Sequence, residues 1–406
     1  MRTVKDGERT RPRRGRGRLL ALVGVLGLAG IVAGLLVAVT GTPQSDAKTG
    51  RVAAVPGSSA ISALPNSWAI VKDPLKSGSK KASSTTSSTN YGGPITDGDS
   101  KTNCIYLNFS DGVLSQSAID AVTDVTGVTY NCLETFNNPM PAWDAWETPW
   151  MFSTASDGWD AWLAASPAHQ VVMAMDLIPK SLSDNDDPLT WEQACADGSY
   201  NQYATTLAEN LVSYGAGNII IRLGPEANGE WEADYLGKTT AEFNDWAKCY
   251  DNEVTAMRAV SGAHFLFVWN PNVCAHYMPL DEWYPGNAYV NIVGFDVYDV
   301  DCGTQQTVAQ EGWAAFSTDS SSTGESDPNF PSIANIVAFA EDHGKPLSLP
   351  EWGDTSSDDV GYVNNLAQLF YRDDFAFESY FDSGDGIIPL GSSIPDSTAA
   401  YSRAFK

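Results

Sequence analysis

Two glutamates of this 406-residue chain follow predicted strands, and together they could do acid–base chemistry. Glu226 follows the fourth predicted strand in the stretch RLGPEANGEW, and Glu351 follows the seventh in LPEWG. Hydrolysis of a glycosidic bond needs two carboxyl groups, one to protonate the leaving oxygen and one to attack or stabilise the anomeric carbon. We therefore predict that Glu226 is the acid/base and Glu351 the nucleophile. The alternative for each is a surface carboxylate at the end of a strand.

Polar residues near these glutamates are candidates for supporting roles. A tyrosine that donates a hydrogen bond to a carboxylate keeps it ionised, and we assign this role to Tyr298, towards Glu351. Arg222 would support the carboxylates through its charge, or form a structural ion pair inside the barrel mouth. Asn228 would bond a sugar hydroxyl or brace its own loop. Asp296 lies near the same rim, but strand alternation ranks it below the others.

Aromatic rings can stack on the face of a sugar, and four tryptophans are candidates for such platforms. Three of them follow strand ends and one lies in the loop after the second predicted strand: Trp231, Trp269, Trp352 and Trp146. Packing against the barrel rim is the alternative for these side chains. Asp176 and Tyr380 are two further residues that could reach a substrate.

Residues 101–406 alternate short apolar strands with amphipathic helices, which is typical of βα units and could position all of these side chains. The predicted strands are Ile105–Phe109, Thr129–Thr135, Gln170–Leu177, Ile219–Leu223, Phe265–Trp269, Ile292–Val297, Leu347–Pro350 and Phe375–Phe381. The predicted helices are Gln116–Val125, Gly158–Ala165, Tyr200–Tyr214, Thr240–Val260, Ile333–His343 and Tyr362–Tyr371. Eight strands predict an α/β fold of the (β/α)8 TIM-barrel type, with its active site at the C-terminal ends of the strands. A doubly wound open sheet is the alternative, but no G-x-G-x-x-G motif follows the first strand.

The motifs that contain these residues resemble those of glycoside hydrolase family 26. The stretch from Arg222 to Trp231, with arginine four residues before the acid/base and Asn-Gly after it, is similar to the family's strand-four motif. FVWNPN at 267–272 resembles the family's strand-five motif, GFDVY at 294–298 its strand-six motif and KPLSLPEWG at 345–353 its nucleophile strand, in the same order. The resemblance covers roughly residues 104–385 and implies family 26, or a closely related clan A family of retaining TIM-barrel glycoside hydrolases.

One residue departs from this family pattern. Pro225 stands where the family usually has the histidine that helps to shape the subsite at the cleavage point. Because proline offers no side-chain hydrogen bond, the resemblance does not identify the sugar that binds at this subsite. The resemblance implies a retaining, endo-acting β-glycoside hydrolase on an extracellular polysaccharide, with a β-mannanase-like activity as the first choice.

The N-terminal 100 residues differ in composition from the rest and predict three segments. Residues 1–18 are basic and form a predicted cytoplasmic tail, residues 19–41 a transmembrane signal-anchor, and residues 42–100, rich in Ser, Thr and Gly, a flexible linker. Because basic residues that flank a transmembrane segment stay on the cytoplasmic side, the catalytic domain at 101–406 is expected on the extracellular face of the cell membrane. It would be secreted if the apolar segment is cleaved as a signal peptide.

The net charge of the chain indicates which partners it can bind. The net charge of -26 argues against nucleic acid as a partner, because like charges repel, and suits a neutral polysaccharide or oligosaccharide.

The six cysteines lack a C-x-x-C pair and predict disulfides between sequential pairs, Cys104–Cys132, Cys195–Cys249 and Cys274–Cys302. The four histidines have no zinc-site spacing, so we expect no metal and no cofactor. We expect a monomer whose only membrane contact is the N-terminal segment.

Two other functions are compatible with the same residues. A non-catalytic carbohydrate-binding barrel would bind polysaccharides without releasing reducing ends, and Pro225 leaves room for it. A transglycosylase in exopolysaccharide or cell-wall metabolism would use the same two glutamates but pass the sugar to another sugar.

Overall fold

Parallel strands form a closed ring in the computed structural model of the chain. The structure describes residues 102–109, 112–137, 140–183, 191–275, 278–300, 306–318, 331–355, 357–384 and 386–406. The predicted tail at 1–18, signal-anchor at 19–41 and linker at 42–100 lie outside these ranges. Within these ranges, no helix combines the length and the apolar composition needed to cross a membrane.

Nine strands make up one sheet, and eight of them close the barrel. The strands are β1 (Thr102–Leu107), β2 (Cys132–Phe136), β3 (Gln170–Met175), β4 (Ile220–Leu223), β5 (Leu266–Trp269), β6 (Ile292–Gly294), β7 (Val297–Tyr298), β8 (Leu347–Gly353) and β9 (Phe375–Asp382). Each of β1 to β5 pairs with the next strand, β6 pairs with β8, and β9 pairs with both β8 and β1. All of these pairings are parallel, so the predicted TIM-barrel architecture is confirmed.

Helices connect successive strands and cover the outside of the ring. They are α1 (Gln116–Thr126), α2 (Trp143–Trp146), α3 (Trp150–Ser153), α4 (Trp159–Ala165), α5 (Lys180–Ser183), α6 (Trp191–Ala196), α7 (Asn201–Ser213), α8 (Thr240–Arg258), α9 (Leu280–Trp283), α10 (Val308–Glu311), α11 (Trp313–Phe316), α12 (Ile333–His343), α13 (Val360–Arg372) and α14 (Pro395–Phe405). The six predicted helices match α1, α4, α7, α8, α12 and α13 within two residues at each end. The sequence prediction missed α14 and the short helices.

The start of α8 shows why the longer helices were predictable. The Thr239 hydroxyl accepts from the backbone N–H of Glu242 at 3.3 Å, and the Glu242 carboxylate accepts from the backbone N–H of Thr239 at 2.8 Å. This reciprocal capping box satisfies two N–H groups that the helix itself leaves free. Local sequence therefore sets where this helix begins.

An apolar cluster fills the lower part of the barrel interior. It contains Cys104, Cys132, Val172, Ile220, Val268, Ile292, Ala376 and Phe377. Side chains alternate between the two faces of a strand, so residues two positions later on the same strands also face inward. On β2 and β4 these residues are Glu134 and Arg222, which are both fully buried. The polar site described below therefore lies directly above an apolar floor.

Disulfides confirm two of the three predicted cysteine pairs. Cys104–Cys132 links β1 to β2 within the barrel floor, and Cys195–Cys249 links α6 to α8. Closing the 28-residue separation of the first pair stabilises the fold by about 3 to 4 kcal/mol on the chain-entropy model. Cys274 is also disulfide-bonded, and its predicted partner Cys302 lies outside the described residues.

Candidate active site

Glu226 lies in a turn directly after β4 and has an unusual backbone conformation. Its φ is 52°, and it is the only non-glycine residue of the described ranges with a positive φ. The turn is held by a hydrogen bond from its N–H to the Asn270 carbonyl (2.8 Å) and one from the Gly229 N–H to its own carbonyl (2.7 Å). A left-handed backbone in a non-glycine residue costs about 1 kcal/mol or more and is often found at functional sites.

The Glu226 side chain is fixed by donors from two different loops. The Asn272 amide donates to Oε1 at 2.5 Å, and the Trp231 indole N–H donates to Oε2 at 2.8 Å. Burial raises the pKa of Glu226, and the nearby Glu351 raises it further, whereas Arg222 opposes the shift. A carboxyl group with a raised pKa keeps its proton near neutral pH, as a general acid must.

Glu351 lies on β8 and receives donors suited to a negative charge. Tyr298 on β7 donates its hydroxyl to Oε2 at 2.9 Å, and Arg222 donates Nη1 to Oε1 at 2.5 Å. The backbone N–H of Glu351 donates to Asp296 Oδ1 at 3.0 Å. These contacts fix the position and orientation of the carboxylate.

Arg222, Glu134, Asp296 and Glu351 form the group that we call the arginine cluster. The guanidinium donates Nη1 to Glu134 at 3.2 Å and to Glu351, and Nη2 contacts Asp296 Oδ2. Burial alone would lower the pKa of Arg222, but the surrounding carboxylates outweigh it and raise that pKa well above its usual range. One planar cation therefore holds three carboxyl groups that start on three different strands or strand ends.

Glu134 brings a fully buried carboxyl group to this cluster. Burial raises the pKa of Glu134 to about 8, Arg222 opposes the shift, and repulsion from Glu351 adds to it. Burial also raises the pKa of Asp296 well above its usual range, and Arg222 again opposes the shift. The folded state therefore favours the protonated form of both carboxyl groups more than water does.

The two predicted catalytic glutamates converge over the barrel. One carboxylate oxygen from each of Glu226, Asp296 and Glu351 lies within 4.8 Å of the others. Retaining glycosidases hold their two carboxyl groups about 5 to 5.5 Å apart, whereas inverting enzymes need a wider gap for a water molecule. The spacing suits direct attack by one carboxylate and proton transfer by the other.

Asp296 has a central position that sequence reasoning ranked too low. The predicted sixth strand is interrupted, because β6 ends at Gly294 and β7 starts at Val297. Asp296 nevertheless lies an even number of residues from Ile292 and Tyr298, which also face inward, and it accepts from the Asn270 amide at 2.8 Å and from the Glu351 backbone. Simple alternation therefore holds across this break and was misapplied when Asp296 was ranked below the others.

Three further residues of the site were missed: Glu134, Asn270 and Asn272. A charged residue inside an apolar strand, two positions after the inward-facing Cys132, was a usable signal for Glu134. The two asparagines belong to the NPN stretch after β5, which had been noted only as part of a motif.

Three predicted sugar platforms are corrected by the structure, because each ring is fully buried. Trp269 packs against Trp283 and Phe339 on the helix side of the barrel. Trp352 follows the inward-facing Glu351, so it points outward, and its indole donates to Glu378 at 2.9 Å. Trp146 donates to the Asp176 carbonyl at 2.8 Å beneath the surface. None of the three presents a ring face to a sugar.

The remaining predicted residues divide between the site and its supports. Trp231 is 44% exposed beside Glu226, and a Cβ on Gly229 would lie 2.4 Å from its ring, so glycine is needed there. Asn228 is buried and bonds both the N–H and the carbonyl of Asn272, which makes it a brace rather than a sugar ligand. Tyr380 is also buried and donates to the Ile388 carbonyl at 2.8 Å.

Comparisons with known proteins agree with this geometry. Residues 190–319 match the model of glycosyl hydrolase family 26, a stretch that includes Glu226 and Tyr298 and ends before Glu351. No curated protein sequence matches the chain.

Solved structures provide the second comparison. The fold is similar to the Bacillus subtilis mannanases BCman (15% identity) and man26 (14% identity), each with a TM-score of 0.50. Both alignments cover 75% of this chain and 85% of the other. At these identities the likeness bears on the fold alone.

Proposed function

We propose, starting from the premise that the chain is a glycosidase of glycosyl hydrolase family 26 or a closely related family, that it is a retaining endo-acting β-glycanase. Glu226 is the acid/base and Glu351 the nucleophile. The observation that carries the proposal is the approach of their carboxylate oxygens to within 4.8 Å, with opposite electrostatic surroundings. Glu226 is buried with a raised pKa, whereas Glu351 is held by the cation Arg222.

In the first step the glycosidic bond breaks. Glu226 gives its proton to the leaving oxygen while Glu351 attacks the anomeric carbon, which forms a glycosyl–Glu351 ester and releases the shortened chain. Tyr298 and Arg222 hold Glu351 in line for the attack. Asn272 and Trp231 hold Glu226 against rotation as its charge changes.

In the second step the ester is hydrolysed. Glu226, now ionised, takes a proton from a water molecule that attacks the anomeric carbon. The bond to Glu351 breaks, and the released sugar keeps the configuration of the substrate. Burial and repulsion by Glu351 favour the return of a proton to Glu226, which resets the site.

β-Mannan is the first substrate to test, because the similar solved structures are mannanases by name. Pro225 provides no side-chain hydrogen bond to a sugar, so a glycan other than mannan would be recognised by different groups around the same two carboxyl groups. The exposed Trp231 ring beside Glu226 supports a polymeric substrate that continues past the cleaved bond.

We also propose an extracellular location. The disulfides at Cys104–Cys132 and Cys195–Cys249 support it, because such bonds persist in oxidising compartments. A basic and then apolar N-terminal sequence is consistent with a membrane anchor whose catalytic domain faces outward.

The proposal is tested by incubating the purified full chain with β-mannan, glucomannan, xylan and mixed-linkage glucan. We expect new reducing ends, a ladder of oligosaccharides from internal cleavage, and a product of retained configuration by early-time proton NMR. Glu351→Ala and Glu226→Ala should each abolish turnover while circular dichroism stays unchanged.

Other results would favour other functions. Binding without reducing ends would support a non-catalytic barrel, and products longer than the substrate at high acceptor concentration would support a transglycosylase. An inverted first product, or full activity in either glutamate variant, would contradict the proposal.

A further inference from the structure

A second group of close carboxyl groups lies beside the catalytic one. Asp176 directly follows β3, and Glu232 and Asp234 lie in the loop between Glu226 and α8. One oxygen from each of the three carboxylates lies within 4.8 Å of the others. We call Asp176, Glu232 and Asp234 the acidic triad.

Two members of the acidic triad differ from the arginine cluster in their ion pairs. In the described part of the chain, no lysine, arginine or histidine forms an ion pair with Glu232 or Asp234. The largest electrostatic effects on Glu232 come from acidic groups, among them Asp176 and Asp234. Negative charges held this close in a largely buried place require a compensating cation or bound protons.

Asp234 supplies a second and independent indication of a ligand. Its side chain is fully buried, and Oδ2 accepts from the Leu177 backbone N–H at 2.9 Å. Oδ1 is buried too and has no hydrogen-bond partner among the described residues. A buried carboxylate oxygen without a donor is costly, and native proteins normally satisfy it with water or an ion.

Oxygen ligands determine which ion would fit. Calcium takes six to eight oxygen ligands at 2.3 to 2.6 Å in flexible geometry, with carboxylates, backbone carbonyls and waters as ligands. Magnesium requires near-ideal octahedral geometry, and zinc prefers nitrogen and sulfur. The triad has carboxylate oxygens alone, and the half-buried Glu232 leaves room for water ligands.

We propose that the acidic triad binds one calcium ion. This departs from the absence of metal predicted from the sequence. The ion joins the end of β3 to the loop that carries Glu226 and Trp231. The Leu177 N–H bond to Asp234 already joins the two, and the loop is held further by the Leu236 N–H, which donates to the Ala227 carbonyl, and by the Trp246 indole, which donates to the Asp234 carbonyl. Calcium therefore adds a metal link to the segment that positions the acid/base.

Isothermal titration calorimetry tests the proposal on the purified full chain. The protein is dialysed against EDTA, then against buffer at pH 7 with 150 mM NaCl, and titrated with CaCl2 and separately with MgCl2. We expect one calcium ion per chain and at least tenfold weaker binding of magnesium. Asp234→Asn and Glu232→Gln keep the side-chain shape but remove a charge, so each should weaken calcium binding at least tenfold.

Matched controls separate a site from general attraction to an acidic protein. Glu209→Gln removes an exposed carboxylate on α7 and should bind calcium like the unaltered protein. Calcium should raise the Tm of the unaltered protein and of Glu209→Gln but not that of Asp234→Asn. If Asp234→Asn loses its near-ultraviolet circular dichroism, the half-exposed Glu232→Gln serves alone.

Several results would overturn the proposal. These are no heat of binding, equal affinity for magnesium and calcium, or unaltered affinity in the folded triad variants. Crystals soaked in MnCl2 should show an anomalous peak between the three carboxylates, and a peak elsewhere would also refute the assignment. Binding is measured without any substrate, so the result does not depend on whether the proposed hydrolase activity is correct.

Discussion

The arginine cluster and the acidic triad are two groups of close carboxyl groups at the C-terminal end of one barrel, and they differ in the source of their counter-charge. In the first, Arg222 contacts Glu134, Asp296 and Glu351 through a planar guanidinium. In the second, the described residues contribute no ion pair to Glu232 or Asp234.

The comparison distinguishes carboxylates whose charge is balanced by an arginine of the chain from carboxylates whose charge would be balanced by a dissolved ion. A covalently attached arginine fixes carboxylate positions and cannot lose its proton, which suits a nucleophile that must stay ionised and aimed. Glu232 and Asp234 have no such ion pair in the described part of the chain, and on our proposal a dissolved ion balances their charge. Burial raises the pKa of Asp234 to about 7, so protons would compete with the proposed ion near neutral pH.

The largest expected effect comes from replacing the fixed cation. Arg222→Lys keeps a positive charge but loses the planar fork, and we expect kcat to fall about 10²- to 10³-fold. Stability should also fall, because partners of a broken buried ion pair remain as uncompensated charges. Steady-state kinetics and thermal unfolding on the same preparation measure both effects.

The matched control is Arg258→Lys. Arg258 bonds the carbonyls of Ala288 and Tyr289, before β6 and thus at the opposite end of the barrel. Its replacement should leave kcat unchanged. If Arg222→Lys turns over at the unaltered rate, the cluster does not depend on guanidinium geometry.

Trp231 lies between the acid/base and the acidic triad, since its indole donates to Glu226 and the next residue is Glu232. Trp231→Ala should lower kcat/KM about 10- to 100-fold, through loss of a stacking surface and of the donor to the acid/base. Trp269→Phe is the control, because Trp269 is buried on the helix side of the barrel. It should lower Tm and leave KM unchanged, and a raised KM there would restore the platform role predicted from sequence.

Glu134 offers a test of how much the arginine cluster depends on pH. Its pKa of about 8 lies above the usual 4.5, so the folded state favours the protonated form. The resulting stabilisation is complete below pH 4.5 and is lost as pH rises to 8, at up to about 1.4 kcal/mol per pH unit. Glu134→Gln mimics the protonated form, so its Tm should fall less than that of the unaltered protein between pH 5 and pH 8, by about 3 °C or more.

The control for this pH effect is Glu341→Gln on α12, which alters an exposed carboxylate. It should show the same fall in Tm as the unaltered protein. Parallel Tm curves for Glu134→Gln and the unaltered protein would show that Glu134 is ionised in the folded state at all of these pH values.

The smallest expected effect concerns the backbone of Glu226. At a φ of 52°, Glu226→Gly should be more stable than Glu226→Ala by about 1 kcal/mol, although both variants lose the acid/base. Urea denaturation measures the difference. The same pair at Glu209, in the middle of α7, should show the opposite sign by about 1 kcal/mol. Equal signs at the two positions would mean that the turn at Glu226 stores no strain.

Much of the frame was predictable because its signals are local. Apolar runs located all eight barrel strands, and six of the helices were found within two residues of their ends. The alternation of side chains along strands also argued against two of the predicted tryptophan platforms. Trp352 adjoins Glu351 and Trp269 adjoins Asn270, and neighbours on one strand cannot both face the barrel centre.

The interruption between β6 and β7 was not predictable in this way. Its sequence, GFDVY, continues the apolar pattern of a strand, yet β6 ends at Gly294 and β7 starts at Val297. The residues between the two strands contact residues that are distant in sequence, among them the Glu351 backbone, which donates to Asp296. The sequence of one strand does not show these long-range contacts.

The sequence by itself determined the order of the eight barrel strands and of six helices, and it placed the two glutamates at strand ends. Only closure of the barrel brought Glu226 within 4.8 Å of Glu351, buried Arg222 among three carboxyl groups, and placed Asp176 beside Asp234. The physical reason is that hydrophobic periodicity is a property of neighbouring residues, whereas burial, pKa and charge balance depend on which distant strands meet.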